Sequence, residues 1–144
     1  MRAVVAYESI FGSTRAVAEA VGEGLRHRFL VLVAEVSHAP AALVGVDLLV
    51  AGGPAHVPEC LRALPEPPGE VAAAAFHTAV RTTAWLPDRA AEPAARRLES
   101  LGYRLVVKPE HFYVTEVDGP LEDGEIERAR AWGIGLADAY VVRS

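Results

Sequence analysis

The chain has 144 residues, a mass of 15.3 kDa and a formal net charge of −5. That length suits one domain with a substantial core, and 51% hydrophobic against 23% charged residues is an ordinary globular balance. The acidic balance speaks against nucleic-acid binding, which rests on Lys/Arg excess, and the single cysteine, Cys60, excludes an internal disulfide or a Cys-based metal centre.

In chain order, residues 3–7 (AVVAY) form a continuous apolar run without alternation, the pattern of a parallel strand buried on both faces. The run is too short for a signal-peptide core and is followed directly by Glu8 and a turn. Residues 13–27 carry Val17, Val21 and Leu25 at i, i+4 and i+8, which predicts an amphipathic helix with Ser13 as its cap. Residues 29–33 read as a second strand and residues 40–44 as a short helix or turn. A third strand covers residues 47–51 (DLLVA), closed by Gly52, Gly53 and Pro54.

A proline-rich stretch then runs to about Gly69, with room for only a brief helix near residues 59–64. Residues 71–76 predict a fourth strand, and residues 77–87 a polar loop. A helix follows over residues 89–101, with Pro93 as a candidate for its true start. Residues 105–107 are the fifth strand, with a resumption at 112–114, and residues 122–141 close the chain as an amphipathic helix. Nothing approaches the roughly 20 apolar residues of a membrane span. The expectation is one cytoplasmic domain, residues 1–144, with no contact with membrane or nucleic acid.

Five β-like runs separated by helices indicate an open α/β sheet with parallel strands and right-handed crossovers. In such sheets ligands sit outside the carboxyl ends of the strands, at the switch in strand order. Three loops therefore come forward: residues 8–13, 52–60 and 77–83. The first joins a buried strand to a helix start, where unpaired N–H groups and the helix dipole welcome an anion. Ser9, Ser13 and Thr14 add hydroxyl donors there, and Gly12 permits a tight turn. No GxxxxGK[ST] motif is present and no GxGxxG follows the first strand, which disfavours a P-loop and a dinucleotide site. With no lysine nearby, the loop suits a monoester phosphate better than a magnesium-bound triphosphate.

The run YESIFGSTRAVAEAVGEGL resembles the phosphate loop of flavodoxins, with Ser9, Gly12 and Thr14 on the (T/S)xTGxT pattern and Ser13 in place of the usual Asn. VDLLVAGGPAH is similar to that family's third strand and first flavin loop, and FYVTEVDGPLEDGEIERARAWGIGLA to its C-terminal strand and helix. The resemblance implies a flavodoxin-like three-layer α/β sandwich with a five-stranded parallel sheet in the order 2-1-3-4-5. It implies FMN as cofactor, held by Ser9, Ile10, Phe11, Gly12, Ser13 and Thr14 at its phosphate and flanked by Pro54, Ala55, His56, His77 and Thr78 at its ring. Electron transfer or a flavin-dependent reduction, with a redox partner protein, is the function that follows.

The loops at 54–60 and 77–83 hold no Trp, Tyr or Phe to stack on a flavin, with Trp85 the nearest aromatic. This motivates an alternative, a flavodoxin-fold protein that no longer uses flavin and acts through the same pocket as a cofactor-independent enzyme or a binding module. His56 and His77 read first as surface loop histidines. Beside a flavin, His56 against the ring and His77 near its polar edge would titrate near neutral pH and tune the reduced flavin. Without flavin, the two are the acid/base candidates of the enzymatic version. As metal ligands they lack a convincing third partner, since only Glu8 and Glu59 are near in sequence, and no metal site is predicted. The acidic segment 109–127 holds seven carboxylates and no Lys or Arg. It reads first as a solvated loop and helix start, and second as a docking face for a basic redox partner.

Overall fold

The first strand, β1 (Arg2–Tyr7), runs through the middle of the molecule, as its unbroken apolar run requires. The computed structural model describes residues 1–8, 12–39, 43–54, 64–81, 87–116 and 118–143. After β1 come α1 (Ser13–Leu25), β2 (Leu30–Glu35), a 3-10 turn at Val36–His38, β3 (Leu48–Pro54) and β4 (Ala72–Val80). Then follow α2 (Pro87–Leu101), the short β5 (Arg104–Leu105), β6 (Glu110–Val114) and α3 (Glu125–Arg143). The sheet has the order β2-β1-β3-β4, and every pairing among these strands is parallel.

The fifth position in the sheet is filled twice. β5 pairs with Ala72 and Ala73 at the start of β4, and β6 pairs with Phe76 to Val80 at its end. The break between them contains Pro109, which has no N–H to give to the ladder. The sheet thus keeps the five-position order expected from sequence, with the last strand interrupted.

Successive residues of each strand point to opposite faces and divide the core in two. On one face Val5, Tyr7, Val50, Ala74 and Phe76 pack against Val17, Val21 and Leu25 of α1 and Ala129 and Leu136 of α3. On the other, Val4, Ala6, Leu49, Ala51 and Ala75 pack against Val36, Leu43, Leu64 and Leu98. Each fully buried Val, Leu or Phe contributes about 1.5–3 kcal/mol. Two glycines let α1 and α3 touch backbone to backbone. A Cβ on Gly24 would collide with the Arg130 carbonyl, and one on Gly133 with that of Val21. No helix among the described residues is long and apolar enough to cross a membrane.

Several boundaries move. α1 starts at Ser13 with Gly12 as its cap, so Ser13 lies in the first turn and does not cap. β3 runs on through Gly52 and Gly53 to Pro54, and β4 through His77 and Thr78 to Val80. The polar segment after residue 76 is therefore strand before it is loop. α2 begins at Pro87, where a missing N–H costs nothing, and carries Pro93 in its interior. α3 begins at Glu125, three residues later than the pattern predicts.

Candidate functional site

The carboxyl ends of β1, β3, β4 and β6 lie at one end of the sheet, as parallel pairing requires. Pairing of β1 with β3 continues one residue past Tyr7, where the Glu8 N–H donates to the Gly52 carbonyl at 3.1 Å. The chain is described again from Gly12, whose φ of 91° is left-handed. Nothing among the described residues lies within 4 Å of a Cβ placed there, and the backbone angle by itself calls for glycine. The Gly12 carbonyl accepts from Ala16 N–H at 3.1 Å, and no side chain among the described residues caps the helix. The first N–H groups of α1 therefore have no intrahelical acceptor and point along the positive end of its dipole.

Behind this helix start, Thr14 is buried and its Oγ1 lies 2.8 Å from Thr78 Oγ1 on β4. One hydroxyl donates to the other, and the accepting hydroxyl keeps a proton for a third group. The contact fixes the first turn of α1 to the end of β4 across 64 residues of sequence. Pro54 at the end of β3 is opposite Thr78, and Gly53 is opposite His77. On the outer side, Gly119 (φ 89°) lies against the Ser13 hydroxyl, which an added Cβ would approach to 2.7 Å.

His77 is adjacent to Thr78 in sequence and, by strand alternation, on the opposite face of the sheet. It is 4% exposed, and neither ring nitrogen meets a well-formed hydrogen-bond partner among the described residues. Its cross-strand neighbour is His111 on β6, equally buried, with ring centroids 6.3 Å apart and planes at 28°. Burial, then the neighbouring His111, lowers the His77 pKa to about 4, with the Gly53 carbonyl pulling weakly the other way. This corrects the expectation of a loop histidine titrating near neutrality: His77 is a neutral strand residue at pH 7.

A charged cluster that sequence reasoning did not single out bolts α3 to β6. Glu125, buried at the first position of α3, accepts from the Tyr113 N–H at 2.7 Å and from Arg128 at 2.7 and 2.8 Å. Arg128 also donates to the His111 carbonyl, approaches Glu110 at 3.6 Å and lies 4.6 Å over the Phe112 ring. Burial alone would raise the Glu125 pKa. The Arg128 hydrogen bonds, the Tyr113 N–H and the charges of Arg128 and Arg81 outweigh it, and the net shift is downward. Arg81, just past β4, stacks 3.8 Å over Tyr113 and reaches Glu122 at 3.2 Å. Three of the seven carboxylates in the acidic segment are thus held by arginines, where a solvated run was expected. The signal available in sequence was Arg128 at i+3 from Glu125.

Of the residues predicted for the site, Gly12, Ser13, Thr14, Pro54, His77 and Thr78 are brought to this end of the sheet. Ser9, Ile10, Phe11, Ala55 and His56 lie outside the described residues, as do Cys60 and Trp85. Among the described residues no group of three His, Cys, Asp or Glu is arranged to hold a metal ion.

A parallel sheet in this order, helices on both faces and a glycine-led helix start at its carboxyl end define the flavodoxin-like fold, and the chain has that fold. It is similar to oxidised flavodoxin 2 from Bacillus cereus, with 18% identity over the full length of both chains and a TM-score of 0.71. It is similar to a flavodoxin from the domain Archaea, with 21% identity over 98% of this chain and 99% of that one, TM-score 0.71. A flavone reductase also matches, at 11% identity and TM-score 0.71, over 98% of this chain and 63% of the reductase. No family model matches the chain, and no curated protein does.

Proposed function

We propose that the chain is a flavodoxin-family protein that binds FMN and serves in electron transfer or flavin-dependent reduction. The observation that carries this reading is the start of α1. There, Gly12 in the left-handed conformation opens a helix whose first-turn N–H groups, lacking an intrahelical acceptor, stand beside a buried hydroxyl pair, Thr14 and Thr78, with a proton to give. This donor set is uncharged and fits a monoester phosphate. In this reading Ser9 to Thr14 hold the phosphate, and Pro54, Ala55, His56, His77 and Thr78 flank the ring. The flavin supplies the redox chemistry, and the protein supplies binding, orientation and electrostatics. His77, buried and neutral at pH 7, adds no charge at this end of the sheet. The carboxylates Glu116, Asp118, Asp123 and Glu127 leave an acidic rim that suits a basic redox partner.

The test is direct. Purified protein should carry flavin absorbance or quench the fluorescence of added FMN, and FMN should bind at least about tenfold tighter than riboflavin, the share of a charge-assisted phosphate grip. Protein that neither carries flavin nor quenches FMN overturns the reading. Equal affinity for FMN and riboflavin removes the phosphate role from the start of α1. A second reading, a flavodoxin fold working without flavin, is favoured by the lack of an aromatic in residues 54–60 and 77–83. It predicts the colourless outcome.

A further inference from the structure

The edge of the sheet far from β6 is bare. β2 pairs with β1 on one side, and no strand among the described residues pairs with the other. The Leu30 N–H donates to the Met1 carbonyl at 2.9 Å, so the peptide groups of Leu30, Leu32 and Ala34 face β1. By alternation those of Val31, Val33 and Glu35 face outward, ready to pair. Edge strands are usually protected by a charge, a proline or a bulge, and residues 30–34 (LVLVA) hold no charge and no proline.

The same edge is apolar. Leu30 is 75% exposed, Leu32 49% and Val44 78%. The connection from β2 to β3 spans only residues 36–47, and its described part holds one 3-10 turn, too short to cover these leucines. A groove of about 280 Å³ results, lined by Arg2, Leu30, Leu32, Val44 and Val46. On the α1 side, Glu19, Glu23 and Arg26 border a second hollow of about 390 Å³ along Val31 to Val33.

We propose that a second copy of this chain pairs antiparallel along β2, making one continuous sheet through a two-fold axis at Leu32. Side chains opposite one another across such a joint must share a face, so the axis has to pass through a residue and not between two. Centred on Leu32, the joint sets Leu32 against its own copy and Leu30 against Ala34 of the second copy. Val31 and Val33 then exchange both backbone hydrogen bonds, because their groups already face outward. The charges choose this occupant over an unrelated strand. The axis runs the two copies of α1 antiparallel, so Arg26 at one end meets Glu19 of the second copy at the other. Arg26 forms no ion pair with a described residue, whereas Glu19 touches only Arg15 of its own helix, at 3.1 Å.

The experiment is sedimentation equilibrium from low to high concentration, up to about 300 µM, where mass action favours association. The wild-type mass should rise from 15.3 kDa toward twice that value. Leu32→Lys should stay monomeric with unchanged circular dichroism. Arg26→Glu should weaken the dimer about tenfold, and Arg26→Glu with Glu19→Arg should recover most of the loss. A wild-type protein that stays at 15.3 kDa throughout overturns the proposal. So does a dimer that persists in Leu32→Lys, since it would use another surface.

Discussion

His77 and Thr78 are neighbours on β4, both buried, and the fold treats them in opposite ways. Thr78 spends its hydroxyl on Thr14, joining helix to sheet at 2.8 Å. His77 sits against His111 with no well-formed hydrogen bond among the described residues. A hydroxyl with a partner can be buried at little net cost, while an imidazole without one is tolerated only as the neutral base. One face of the strand end is therefore a completed polar contact that stabilises at any moderate pH. The other is a group whose burial makes stability depend on protons.

The largest effect follows from that dependence. In the unfolded chain His77 takes up a proton near pH 6.5, while in the folded chain it does so only near 4. The contribution of neutral His77 is complete above pH 6.5 and is lost as pH falls toward 4, because the unfolded state binds a proton that the folded state refuses. At about 1.36 kcal/mol per unit, the loss across that window is about 3 kcal/mol. Urea unfolding between pH 7 and 4.5 should show it, and His77→Leu should flatten the slope by up to one proton. Glu125, whose pKa is lowered from 4.5, keeps its full stabilisation above that pH and loses it as pH falls further, so the range from pH 7 to 4.5 reports chiefly on His77. In the wild-type protein the His77 ring protons should show no NMR titration above pH 5. A His77 resonance that titrates at pH 6–7 would erase the contrast with Thr78.

On the other face the expected change is smaller and does not depend on pH. Thr78→Val keeps the shape and deletes the hydroxyl, leaving Thr14 buried without its partner at a cost of about 1–3 kcal/mol. Thr78→Ser should lose less than half as much. If the hydroxyl pair also grips phosphate, Thr78→Val weakens FMN by about tenfold and riboflavin hardly at all, the difference being one hydrogen bond to a charged group. Loss of stability with unchanged FMN affinity would make the threonine pair structural only.

Much of this arrangement was legible in the sequence, and the misses share a cause. The unbroken apolar runs marked the parallel strands, and Gly12 between strand and helix marked the turn, because local chemistry dictates both. The end of β4 did not read as strand, since His77 and Thr78 look like loop residues. They are buried because of Thr14, 64 positions away, and His111 on β6, which no local pattern shows. His111 comes level with His77 only because Pro109 splits the last strand and lets β6 re-register along β4. The Ser13 cap failed for a related reason. A left-handed Gly12 takes the cap position and leaves the Ser13 hydroxyl to face Gly119.

The smallest effect is expected just beyond the two contrasted residues, where β4 leaves the sheet. Arg81 lies 3.8 Å over Tyr113 and 3.2 Å from Glu122, with its side chain 59% exposed. An exposed cation over an aromatic ring contributes about 0.5–1 kcal/mol, and an exposed ion pair little more, screened by salt. Arg81→Ala should therefore destabilise by less than about 1 kcal/mol, and by less still in 0.5 M salt, where the Debye length falls to roughly 4 Å. The substitution also strips a positive charge from the acidic rim and should slightly speed association with a basic redox partner at low salt. A loss comparable to Thr78→Val would mean that the stack on Tyr113 helps hold the end of β4. The boundary between its buried and solvated parts would then lie past Arg81 and not at Val80.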